Sequence, residues 1–202
     1  PAGSYYLDGD VALEHTILIP ENTAVNLCLN GHSIISDGTV TGRHVIIVEG
    51  SSLTLTDCKG SGKITHADKK NGGGVSVYNP SSVFNMFGGI ITGNNIDGGV
   101  KNNGTFNMYG GEITGNSAKN YGGGVYMEAS MGNYQGGILN VSGAAKITGN
   151  TVNNKPNNVY LPTGRKLSVD AMTDGAKIGV TTQEVPSITA PVVFGNACDT
   201  DY

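Results

Sequence analysis

The eleven residues FNMFGGIITGN at 84–94 return as FNMYGGEITGN at 106–116, an offset of 22 residues (106 − 84) with only Phe87/Tyr109 and Ile90/Glu112 changed. The pair belongs to a larger unit. GGGVSVYNPSSVFNMFGGIITGN at 72–94 is echoed at 97–116, and again at 122–150 in a copy lengthened by an insertion around 131–135. Weaker copies occupy 45–66 and 158–180, and AVNLCLNGHSI at 24–34 keeps the second and third segments of the same grammar. Each unit holds three short alternating runs closed by Gly or Asn. Such runs are too short to stand alone, whereas a period of about 20–30 residues lets each unit cover the next.

Three strands per unit, with a corner after each, describe one turn of an all-β, single-stranded parallel β-helix whose turns lie about 4.8 Å apart. Equal positions then stack in columns: Phe84 on Phe106, Met86 on Met108, Ile91 on Ile113 and Ile147. Alternation turns these residues inward as the core. Asn94, Asn116 and Asn150 fall in one corner column, where stacked amides can satisfy a buried turn. Thr92, Thr114 and Thr148 form an outward column beside them. Gly88 and Gly89, with Gly110 and Gly111, mark a corner whose conformation excludes a Cβ. The solenoid is expected to span 24–182. Residues 1–23, apolar in alternation but outside the grammar, are expected to cap its first turn, because open edges invite pairing with other chains. Residues 183–202 are expected to form a second cap or a linker.

Composition agrees. With 32 Gly and no Trp in 202 residues, long helices are not expected, since each interior glycine costs a helix about 1 kcal/mol. A chain of this length buries roughly 70% of its surface, so its core needs no cofactor. The net charge of −4, with Lys and Arg scattered singly, offers no basic stripe for nucleic acid. No run of about 18 apolar residues exists to insert in a membrane, and PAGSYYLDGD lacks the regions of a signal peptide. The expectation is a mature segment of a larger multi-module chain.

Cys28, Cys58 and Cys198 show no CxxC and no histidine at metal-ligand spacing, so no metal is expected. For Cys28 and Cys58 two readings stand: a disulfide, should their segments stack, or two small half-buried thiols.

The phrases LCLNGHSI (27–34), SSLTLTDCKGSGKIT (51–65) and GGGVYM followed by GGILNVSGAAKITGN resemble the right-handed β-helix repeats of large exported surface proteins of bacteria, notably Gram-positive gut anaerobes. More distantly they are similar to pectate-lyase-like solenoids and to the GGA-type repeats of chlamydial surface proteins. The resemblance covers about residues 5–180. It implies a right-handed coil and an extracellular or wall-associated, adhesin-like setting, with anchoring supplied by flanking sequence.

A β-helix enzyme acting on acidic polysaccharides would need carboxylates converging on one face, or clustered Asp and Glu for calcium plus a basic residue. The chain offers Arg43 and Arg165 on distant turns, and dispersed carboxylates. Glu112 has no acidic neighbour in its column, Asp97 falls opposite Lys119 as a surface pair, Asp57 is placed to bond a corner's amides, and Asp68, Lys69 and Lys70 sit in a loop. His15, His32, His44 and His66 all lie in the N-terminal third, and stacked turns are able to bring His32 and His66 together. No GxSxG elbow appears, and the GGG clusters at 72–74 and 122–124 lack the Lys-Ser/Thr of a phosphate loop. The outward threonines raise ice binding, which the irregular insertions oppose. Tyr78, Tyr109, Tyr121, Tyr126 and Tyr134 lie across adjoining turns as a stacking platform for a glycan, unless Tyr109 merely fills the Phe87 column and Tyr121 and Tyr134 are loop residues. The functional expectation is a non-catalytic module, a stalk or adhesive surface for a host or microbial glycan or protein. The alternative is a carbohydrate-active β-helix enzyme, lyase or glycoside hydrolase, or a binding relative of one.

Overall fold

Apolar residues alternate with small polar ones over a few positions, then glycine or asparagine breaks the run; a chain written this way can only bury its apolar teeth against copies of itself. In the computed structural model, which describes residues 2–37, 44–67, 72–130, 135–192 and 195–197, it does so as a right-handed parallel β-helix with three strands per turn. Sheet I carries the first strand of each rung: Gly3–Tyr6, Ala24–Cys28, Ser52–Thr56, Val83–Met86, Thr105–Met108, Ile138–Gly143, Leu167–Met172 and Gly195–Ala197. Sheet II carries the second, from Val11–Leu13 through Lys63–His66, Ile90–Ile91 and Glu112–Ile113 to Lys177–Ile178. Sheet III carries the third, from Ile17–Ile19 through Val75–Val77, Val100–Asn102, Val125–Met127 and Val159–Leu161 to Val180–Thr182.

The register is the one the repeat demands. Phe84 lies opposite Phe106, Met86 opposite Met108, and Ile91, Ile113 and Ile147 follow one another. All are fully buried. The Phe84 and Phe106 rings stack with centroids 4.9 Å apart and planes 10° from parallel, so one rung's tooth fits the next without a gap. Leu53 and Leu139 continue that column, and Ile46, Val75, Val100, Val125 and Val159 form its counterpart on sheet III. At the corner before sheet III the chain admits only glycine: a Cβ on Gly74 would lie 2.4 Å from the Gly99 carbonyl oxygen, and one on Gly99 2.8 Å from that of Gly124. This close passage explains the recurring GGG.

Residues 1–23 depart from expectation. Instead of folding across the end, Gly3–Tyr6, Val11–Leu13 and Ile17–Ile19 add a complete first rung, pairing in parallel with the second on all three sheets. Their alternation supplies the same teeth as the repeat, and a matching rung satisfies the backbone edge of the next better than a crossing segment does. Residues 3–19 therefore belong to the solenoid as a rung. At the other end Gly195–Ala197 joins Leu167–Met172 in parallel and starts an eighth rung, while 183–192 is irregular, with Val185 and Ile188 exposed. Cys198 lies outside the described residues.

A ladder of buried amides runs beside the apolar columns. Asn94 Nδ2 donates to Asn116 Oδ1 (2.8 Å), Asn116 Nδ2 to Asn150 Oδ1 (2.9 Å) and Asn150 Nδ2 to Asn158 Oδ1 (3.1 Å). The backbone N–H of each of the first three donates to the same oxygen as its side chain. Spare amide protons reach carbonyls, in the case of Asn116 those of Ile91 and Thr114. At the head, His66 Nδ1 sits 2.9 Å from Asn94 Oδ1. That oxygen can only accept, so Nδ1 carries the proton. Asn94, Asn116 and Asn150 were legible as a column; Asn158 and His66, which terminate it, break the repeat's spacing.

Asn116→Ala would strand two N–H groups of Asn94 in a dry interior and take the side-chain donor from Asn150 Oδ1 and from the Ile91 and Thr114 carbonyls. A loss of roughly 3 kcal/mol is expected, read as a lower urea midpoint. Asn140→Ala, on the half-exposed outer surface, should cost under about 1 kcal/mol.

Candidate functional site

Sheet I turns alternate residues outward, and from the first rung to the sixth none of these strand residues is charged. They are Ser4, Asn26, Thr54, Asn85, Asn107 and Asn140 in the central column, flanked by Ser52, Val83, Thr105 and Ile138. The central column bonds to itself along the axis. Asn140 Nδ2 donates to Asn107 Oδ1 (2.7 Å), Asn107 Nδ2 to Asn85 Oδ1 (2.8 Å), Asn85 Nδ2 to Thr54 Oγ1 (3.5 Å) and Asn26 Nδ2 to Ser4 Oγ (3.2 Å). Each amide thereby spends one N–H on its neighbour. It keeps a second N–H and an oxygen lone pair, repeated at the rung spacing.

Two residues further along the chain, about 6–7 Å away, Phe87 and Tyr109 close their strands at the corner toward sheet II. Their rings stack with centroids 4.6 Å apart and a 23° interplanar angle, yet they stay 53% and 41% exposed. Tyr109 thus fills the Phe87 column, as one reading of the sequence held, and the column itself faces solvent. Because the rings stack from rung to rung, their normals run along the solenoid axis. The strand registers put Thr56 and Ser142 beside the outer face of each ring, side chains too small to cover it. The outer surface of sheet I therefore offers bare aromatic faces beside rigid, uncharged donors and acceptors.

The other tyrosines divide. Tyr121, Tyr126 and Tyr160 gather on sheet III, with Tyr121 and Tyr160 4.5 Å apart and both other pairs at 6.1 Å. Tyr160 did not stand out in the sequence; it joins because it occupies the Tyr126 column one rung on. Tyr78 is exposed at a separate corner, and Tyr134 lies outside the described residues.

The titratable residues stay apart or serve the fold. Asp57 turns into its corner, accepting from the N–H groups of Gly31 and Gly62 at 2.7 Å and of Lys59 at 3.3 Å, which is the structural role expected of it. Glu112 sits between Ile90 and Lys146 on sheet II. Asp97 and Lys119 come to one hollow without closing into the expected ion pair, while a backbone bridge joins Asp97 to Ala118 there. His32 approaches Asp10 at 3.6 Å while His66 heads the amide ladder, so stacking does not pair them. His15 bonds the Glu14 carbonyl. Arg165 ties together the two flanks of the insertion, donating to Ser130 Oγ and to the carbonyls of Gln135 and Gly137. Arg43, Asp68, Lys69 and Lys70 lie outside the described residues. Among the described residues no three of His, Cys, Asp and Glu cluster as a metal site would require. The threonines of sheet II, Thr65, Thr92, Thr114 and Thr148, make a single outward file beside Lys63, Glu112 and Lys146, too narrow and too close to charge for an ice lattice.

Comparison with family models, with curated proteins and with solved structures returns no match.

One histidine and a pair of thiols titrate unusually. His44 packs over Gly73; burial pulls its pKa from 6.5 down to about 4, helped by Lys101 and His66 and opposed by Asp97. The folded protein therefore resists the proton that the unfolded chain takes up near 6.5. Stability carried by neutral His44 is complete above that pH, falls between pH 6.5 and 4 by on the order of 3 kcal/mol, and levels off below. Urea midpoints at several pH values should show this slope, and His44→Gln should flatten it. Cys28 and Cys58, both free thiols, have sulfurs 2.8 Å apart on stacked rungs. The hydrogen bond between them lowers the Cys28 thiol and raises that of Cys58. Mild oxidation is expected to remove two titratable thiols and, by closing a loop of 30 residues (58 − 28), to add about 3–4 kcal/mol. Thiol titration and melting with and without reductant measure both.

Proposed function

We propose that this chain is a non-catalytic β-helix module that binds uncharged glycan along the outer surface of sheet I, as part of a secreted or surface-located bacterial protein. One observation carries the reading: the bare Phe87/Tyr109 stack lies beside a self-bonded asparagine ladder in a field without charge. A sugar ring presents C–H bonds on its faces and hydroxyls at its rim. The C–H face covers an aromatic ring, worth about 0.5–1.5 kcal/mol beyond area, while amides held by their neighbours take hydroxyls in both donor and acceptor roles without losing further freedom. Repetition at the rung spacing suits a polymer, since successive sugars meet equivalent groups and weak contacts add through effective concentration. The secreted, surface setting rests on the sequence resemblance alone.

Chemistry on the glycan needs an acid and a base at the bond to be broken. From the first rung to the sixth the sheet I strands bring none to the ladder, and the seventh adds Asp170 as one carboxylate where two groups are needed, which favours binding over cleavage.

The test is calorimetric titration of the chain with uncharged oligosaccharides of several linkages, with a parallel assay for new reducing ends. Binding without product is expected. Phe87→Ala/Tyr109→Ala should weaken it about tenfold or more, and Asn107→Asp should weaken it while leaving the melting temperature near that of the parent. Affinity indifferent to all three changes, or product formation abolished by replacing a carboxylate, would overturn the reading.

A further inference from the structure

On the opposite side of the molecule, sheet III presents Ser76, Lys101, Tyr126 and Tyr160 as consecutive outward positions of one column. Tyr160 is only 8% exposed and backs Tyr121. Tyr121, from the bend between the corner strand and sheet III, leans over it at 4.5 Å and is 52% exposed. The corner strand Ser117–Ala118 and the Asp97 bridge raise the other wall, and Lys119 stands at its rim. Together these residues enclose a hollow lined by Tyr121, Tyr126, Lys101, Lys119 and Asp97. Its charge is unbalanced: two ammonium groups face one carboxylate, and among the described residues neither ammonium has an ion-pair partner. Tyr126 already spends its hydroxyl on Glu128 Oε1 at 3.5 Å, so the phenol is oriented and its ring is left to the hollow.

An aromatic wall selects a ligand with an apolar ring face, and two unpaired lysines select an anion. We propose that this hollow is a second binding site, distinct from the sheet I surface, for a sugar ring bearing an anionic group, either a carboxylate or a sulfate ester. The ring lies against Tyr121 and Tyr126, and the anion sits between Lys101 and Lys119. Asp97 at the rim opposes it, setting a limit on affinity that its removal lifts. Because Lys is a flexible point charge rather than a planar fork, the site reads charge more than shape, and carboxylate and sulfate are both accepted.

The experiment uses the full chain and three probes of one backbone: an oligosaccharide with a single carboxylate, the same with a single sulfate, and the uncharged parent. Both anionic forms are expected to bind more tightly than the parent, with the difference collapsing as salt rises from ~50 to ~500 mM. Lys101→Gln/Lys119→Gln and, separately, Tyr121→Ala should each cut affinity for the anionic probes about tenfold or more; Asp97→Asn should raise it. Phe87→Ala/Tyr109→Ala should leave the anionic increment unchanged, so failure at sheet I and failure here are told apart. Tyr121 is half exposed, so its variant reports binding even if the lysine pair disturbs folding. Equal affinity for charged and uncharged probes, or a charge preference untouched by the lysine and tyrosine variants, would overturn the proposal. A preference for only one anion would overturn the claim that the site reads charge rather than shape.

Discussion

Parallel backbone pairing from rung to rung, from Gly3 opposite Val25 to Leu167 opposite Gly195 with one bulge after Val141, is the constraint on which the rest of this structure depends. Once two rungs are aligned, every side chain meets the residue at its own repeat position, and the chain must supply compatible neighbours in three columns at once. A slip of one residue would turn Phe84 and Met86 to solvent and Asn85 into the core. Register is therefore held by burial on the inside and by hydrogen-bonded amides at the corner.

The same constraint that builds the core also builds the surfaces. A column is indifferent to which side of the strand it lies on, so the logic that stacks Phe84 on Phe106 inside also stacks Phe87 on Tyr109 outside. The buried ladder through Asn94 and the exposed one through Asn107 are chemically alike but serve different ends. Inside, every proton is consumed by the fold; outside, half are left over for a ligand. Where the repeat is interrupted, the surface gains individuality. The extra corner strand before Val125–Met127 is followed by the bend that lays Tyr121 over Tyr160, and Arg165 joins Ser130 to Gln135 further along the same rung. Irregularity thus makes a hollow, and regularity makes a track.

Much of this was legible because periodicity converts spacing into contact. The inward columns, the outward threonines, the asparagine corner and the role of Asp57 all followed from counting. What escaped were residues whose partners lie off the repeat. Residues 3–19 read as a cap because their spacing departs from the grammar, though their alternation fits a rung. Asn102 occupies an inward position between Val77 and Met127, where its column neighbours are apolar. It is buried because its amide donates to the Ile138 carbonyl and its oxygen accepts from Gly104, a satisfaction that a single copy of the motif does not announce. Tyr160 and Asn158 were invisible as site and ladder members for the same reason.

Taken by itself, the amino-acid sequence determined the class of fold, the residues of the core columns and the absence of long helices, since alternation over a few residues repeated at a near-constant spacing has one economical way to hide its apolar surface. Only the tertiary structure decided that residues 3–19 form a rung, which aromatic rings stay exposed, and that Tyr121, Tyr126 and Tyr160 gather together. Those outcomes depend on corner lengths, which set how each rung is rotated and what overhangs it. Corner lengths vary between copies, so no repeat pattern encodes them.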